Sequence, residues 1–162
     1  MIRQVLFIAA VAAALGSAAG AEPIVISDQA SQDIYEAAFR HLFGNTANSF
    51  LVRCLVVPGP KGGAQSAEPT PEFLARFADI KPPVKGGSGC GKAADGIGVA
   101  DKETGNLAMY FSVGPADCTS ESECTLEAGY FGAPTAAASW TYHLKKSNGK
   151  WSVVSEELKW IS

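Results

Sequence analysis

Asn148-Gly149 constrains this chain more than any other pair of neighbours. A two-residue turn of type I′ needs positive φ at both central positions, which asparagine tolerates and glycine favours, and its twist suits two antiparallel strands. Both flanks read as strands. Trp140, Tyr142 and Leu144 alternate with Thr141, His143 and Lys145 before the turn, and an extended run leads from Trp151 to Ile161 after it. The turn predicts a register with Leu144 opposite Val153, His143 opposite Val154 and Tyr142 opposite Ser155. Register matters because a slip of one residue sends every following side chain to the other face.

The same alternation extends upstream. Gly96–Ala100 reads as a short strand and Gly105-Asn106 as a turn. Leu107, Met109, Phe111 and Val113 then share one face of a strand. In Thr125–Phe131, Leu126, Ala128 and Tyr130 share a face, with Glu127 on the other. Ser49–Val57 differs: it is almost continuously apolar, broken by Arg53, as a strand covered on both sides would be.

Helical signals come first in the chain. Ser27 or Asp28 caps a helix that runs to about Phe43, with Gly44 just past its end. Gln29, Gln32, Asp33, Glu36 and Arg40 form a polar arc, while Ala30, Ile34, Tyr35, Ala37, Ala38, Phe39 and Leu42 spread over the remainder. That apolar sector is wider than a surface helix needs, which predicts a helix largely enveloped by a sheet. Thr70-Pro71-Glu72 opens a short second helix with Phe73, Leu74 and Phe77 inward. Pro58–Pro69 and Lys81–Gly91, rich in Gly and Pro, read as loops. Helices and strands that segregate in this way predict an α+β fold. Its expected form is a long N-terminal helix packed against a curved antiparallel sheet of about five strands, with one short extra helix and two disulfides.

The amino end reads as an address. Arg3 precedes an apolar stretch from Val5 to Leu15, and Ala19-Gly20-Ala21 offers a small-x-small cleavage site. Residues 1–21 are therefore expected to be a secretory signal peptide, too short for a membrane span. Residues 22–162 are expected to form a single globular α+β domain with no span after cleavage. A periplasmic or extracellular destination follows. Four cysteines agree, since an even number in an exported chain points to disulfides. Three connectivities are open. Cys118 and Cys124 enclose a short polar loop that can close locally, which favours that pair together with Cys54–Cys90.

Composition narrows the function classes. Acids outnumber bases, 16 to 13, and no dense Lys/Arg run occurs, so a nucleic-acid partner is not expected. Without Cys-x-x-Cys, and with both histidines far from any cysteine pair in sequence, no metal or cofactor is expected. Gly86-Gly87-Ser88-Gly89-Cys90-Gly91-Lys92 superficially suggests a phosphate loop, but it follows Pro82-Pro83 and precedes no helix.

Six aromatics crowd the last three strands. Those not used in the core, among Tyr130, Phe131, Trp140, Tyr142 and Trp160, are the expected ligand or partner surface. Should the chain be an enzyme, His41, His143 and Glu156 are the candidates, with Glu156 a diagonal neighbour of His143 across the hairpin. The first expectation is a secreted or periplasmic non-catalytic binding module, inhibitor- or immunity-like, engaging an envelope protein or a small apolar ligand. The second is a lyase, isomerase or hydrolase using a His/carboxylate pair, and the third a structural envelope component.

The order of a long helix and a strand meander resembles cystatin-like and nuclear-transport-factor-2-like folds. The stretches Gly129-Tyr130-Phe131-Gly132, Trp140-Thr141-Tyr142-His143-Leu144 and Gly149-Lys150-Trp151-Ser152-Val153 are similar to small exported bacterial proteins of unassigned role. Cystatins imply protease inhibition through a Gln-Val-x-Gly loop, which this sequence lacks. The second fold implies, in some members, acid–base chemistry inside a cone, for which no acid is clearly placed here. Fold likeness alone does not carry function.

Overall fold

Strand β1 (Val52–Pro58) has neighbours on both edges and apolar layers on both faces, as its nearly unbroken apolar sequence requires. A computed structural model describes residues 28–46, 49–59 and 66–162. The signal-peptide reading falls on residues outside these. Helix α1 (Asp28–Gly44) is followed by β1, then β2 (Ser66–Ala67), the short helix α2 (Pro71–Ala75) and β3 (Val84–Gly86). Strands β4 (Cys90–Lys92), β5 (Val99–Asp101), β6 (Leu107–Val113) and β7 (Asp117–Ser120) come next. Three long strands close the chain: β8 (Glu123–Ala133), β9 (Ala136–Ser147) and β10 (Lys150–Ile161).

The expected five-stranded antiparallel sheet against a helix is overturned. The described chain is mostly sheet, ten strands in one mixed sheet, with a single long helix. The main path runs β10-β9-β8-β6-β1-β2, and β1 lies parallel to both β6 and β3. The physical reason lies in the segments read as loops. Backbone hydrogen bonds need no side-chain periodicity, so the Gly- and Ser-rich stretches at Ser66–Ala67, Val84–Gly86, Cys90–Lys92 and Asp117–Ser120 enter the sheet as strands of two to four residues. The phosphate-loop-like run is partly strand, and the protein's own Glu68 carboxylate accepts bonds there from Ser88 N and Oγ, both at 2.9 Å.

One face of the sheet carries the larger core. Ile34, Ala38, Phe39, Leu42 and Phe43 of α1 pack with Leu55, Phe111, Leu126, Tyr142 and Leu144 from the strands. Phe73 and Phe77, in and just after α2, join them, and Phe43 meets the Phe111 ring edge-on at 5.0 Å. Polar residues of α1 meet the α2 region instead: Arg76 reaches Asp33 and Glu36 at 2.8 Å each, and Arg40 grips Asp79. Arg53 is buried on this side of β1. Its guanidinium lies 4.9 Å from the Phe43 ring centre and donates to Pro82 O at 2.8 Å, and burial pushes its pKa below the usual arginine value.

The opposite face holds a second cluster of Val52, Cys54, Cys90, Val99 and Ala108, with Tyr110 packed against it. Disulfides join Cys54 to Cys90 and Cys118 to Cys124, the pairing that spacing favours. Two such bonds suit an oxidising environment. No helix among the described residues is long and apolar enough to cross a membrane.

The final hairpin departs from its expected register. Asn148 and Gly149 both have positive φ and Val153 sits opposite Leu144, but a bulge at Val154 then sets Ser155 opposite His143 and Glu156 opposite Tyr142. A second irregularity falls between Leu158 and Trp160. One inserted residue reverses the side-chain phase beyond it, and the second irregularity restores that phase for Trp160 and Ile161.

Asp101 is almost fully buried at the end of β5, where Thr104 Oγ1 donates to it at 2.6 Å and Lys85 Nζ at 3.0 and 3.1 Å. The Thr104 bond first, and Lys85 second, hold its carboxyl below the ordinary range. A depressed folded pKa stabilises above the unfolded value and loses that contribution as pH falls through the folded one. Asp101→Asn should therefore lower stability at neutral pH and flatten the acid limb of a urea-denaturation series below about pH 4. Loop length sets the second expectation. Removing Cys54–Cys90, with a separation of 36, should cost about 4 kcal/mol, and removing Cys118–Cys124, with a separation of 6, about 2 kcal/mol, as read from urea midpoints of the paired Cys→Ala variants.

Candidate functional site

Across the face away from α1, one row of residues joins four strands. Ser112 of β6 pairs with Gly129 of β8, Gly129 with Ser139 of β9, and Ser139 with Trp160 of β10. Phe111, Val113 and Ala128 turn inward to the larger core, so alternation turns Ser112 and Gly129 outward. The next row places Tyr110 directly opposite Phe131. Together these residues line a cavity of about 440 Å³, which Gly114, Pro115 and Glu127 also border.

Its floor is low because it has almost no side chains. A Cβ at Gly129 would lie 2.6 Å from the Ala138 carbonyl oxygen, so the β8–β9 approach admits only glycine there. Two serines flank it. The walls are aromatic: Phe131 is 44% exposed, Trp160 is 51% exposed and Tyr110 is half-buried. These large rings stand exposed around one hollow instead of packing into the core. On the polar side, Glu127 lies 3.7 Å from Lys159.

A second constellation sits on the α1 side. His41 Nε2 is 2.8 Å from Glu156 Oε2, Asn45 Nδ2 lies 3.0 Å from the same nitrogen, and the Tyr142 ring meets the His41 ring edge-on at 5.1 Å. Burial, and then the Glu156 charge, pushes the Tyr142 phenol pKa up. The bulge at Val154 explains the partnership, since it puts Glu156 on the inward face beside Tyr142. The expected His143–Glu156 neighbourhood is thereby replaced: His143 faces Glu157 at 3.6 Å. Neither His41 nor Glu156 lines the groove, and the pair is partly exposed, so it contributes about 0–1 kcal/mol.

Of the five aromatics expected at the surface, Phe131, Trp160 and Tyr130 border the cavity, although Tyr130 also packs on Phe111 and Trp140. Trp140 is half-buried against the larger core and Tyr142 lies within it, so these two are core residues. Sequence reasoning missed Tyr110, Ser112, Glu127, Gly129 and Ser139. One signal was there: a glycine inside an alternating strand marks a close approach. Among the described residues no group of three or more His, Cys, Asp or Glu is placed to hold a metal ion.

Compared with protein-family models, with curated proteins and with solved structures, the chain finds no match in any of the three, so a functional reading rests on its own geometry. The His41 assignment is checkable by NMR. Glu156→Gln should move the ring resonances of His41 and leave those of His143 in place, whereas Glu157→Gln should do the reverse.

Proposed function

We propose that this chain is an exported, non-catalytic binding module whose groove on the face away from α1 receives a small ligand, or a partner's side chain, with a flat apolar surface. One observation carries the reading: exposed Trp160 and Phe131, with Tyr110, wall a floor of Ser112, Gly129 and Ser139. About 440 Å³ falls within the range of small-molecule sites. The side chains around it suit holding rather than reacting. Among the described residues that line it, Glu127 is the only ionisable group besides the phenols of Tyr110 and Tyr130, and it is shared with Lys159. Two disulfides and the signal-like amino end support a periplasmic or extracellular setting.

A second reading, an acid–base enzyme, draws on the 2.8 Å His41–Glu156 contact. A general base needs reach to a substrate held in a hollow, and this pair does not border the groove. Nile red, a neutral planar probe, separates the two readings by fluorescence titration. Trp160→Ala should weaken its binding about tenfold, and adding Phe131→Ala should abolish it. His41→Ala and Glu156→Gln should leave it unchanged. Binding indifferent to Trp160 and Phe131 would exclude the groove.

A further inference from the structure

We infer that the natural occupant of this groove is a neutral saccharide, lying across strands β6, β8, β9 and β10. The inference rests on the groove reading above and adds the chemistry of the ligand. Three properties of the lining select it.

First, the aromatic rings offer faces for flat, weakly polar C–H surfaces, and Trp160 and Phe131 are already exposed to receive them. Second, the lining is hydroxylic. The Ser112, Ser139 and Tyr110 hydroxyls make no hydrogen bond to any other described residue, so each is free to donate and accept. An alkyl chain laid there would strip water from these groups and return no bond. Third, the local charge is balanced. Glu127, the one charged side chain among the described lining residues, faces Lys159 at 3.7 Å, so no unpaired charge there selects an anion or a cation, while its carboxylate oxygens can still accept from a hydroxyl.

A ligand with apolar ring faces, a hydroxyl-rich rim and no charge meets all three conditions at once. The dimensions agree. Adjacent strands lie about 4.8 Å apart, so the row from Ser112 to Trp160 spans about 14 Å, room for a short chain of sugar rings rather than a single one. Gly129 lies at its middle, where any side chain would both strike the backbone and fill the floor.

Cellotetraose, chitotetraose and maltotetraose, each titrated into the millimolar range, are the probes, read by ¹H–¹⁵N NMR on the disulfide-intact protein. At least one should shift the Trp160 indole signal together with the amides of Gly129 and Phe131. The double variant Ser112→Ala/Ser139→Ala, both at outward positions, should weaken that saccharide about tenfold while Nile red binds as before. Trp160→Ala should weaken both.

If no saccharide moves these signals while Nile red still binds, the saccharide inference falls and the groove reading stands. If neither probe binds, both fall. A saccharide whose affinity is untouched by the double serine variant also overturns the inference, because the hydroxylic floor would then take no part.

Discussion

Burial of β1 on both faces is the constraint on which the rest depends. Leu55 faces α1 and the aromatic core, while Val52 and Cys54 face the second cluster, where the Cys90 bridge is anchored. A strand so placed must also satisfy its backbone on both edges, and β3 and β6 do so in parallel. Parallel neighbours require crossovers, so the segment from Pro58 to Val84 has to travel from one end of β1 to the other, and α2 lies within that return. Arg53 shows how tightly the arrangement is specified. A cation sits among Phe43 and Phe50 because its hydrogen bond to Pro82 and the ring faces replace part of its hydration.

Much of this was written locally in the chain. Regular alternation in β6, β8 and β9 gave the inward residues Met109, Phe111, Leu126, Ala128, Tyr142 and Leu144, and the Thr70 cap with Pro71 opened α2 where the structure has it. What escaped was whatever depends on backbone pairing over distance. β2, β3 and β4 have two or three residues each, too few to display a period, and the parallel alignment of β1 with β6 joins segments some fifty residues apart. Leu107 shows a milder failure: it continues the pattern of β6 yet lies half exposed at the strand's start, where the core has ended.

The site was legible in part and for similar reasons. Phe131 and Trp160 stand out as large rings in the carboxy-terminal third, but their partners Ser112, Gly129 and Ser139 are small residues on three different strands. Only the cross-strand register assembles them. His41 and Glu156 were each noticed, but apart, because the bulge at Val154 inverts the expected facing of the residues from Ser155 to Leu158 in β10. A single inserted residue thus decides which histidine meets which acid.

That irregular border has a further effect. Among the described residues β10 pairs only with β9, and it carries exposed Val154, Leu158, Trp160 and Ile161 along its length. A flat, greasy margin of twelve residues would be an open template for the accretion of other polypeptides. Kinks near Val154 and Lys159, together with a lysine at each end, disturb the spacing that an incoming chain would have to match. The same irregularities thus lie on either side of the exposed Leu158 and next to the exposed Trp160, where a regular edge would be easiest to extend.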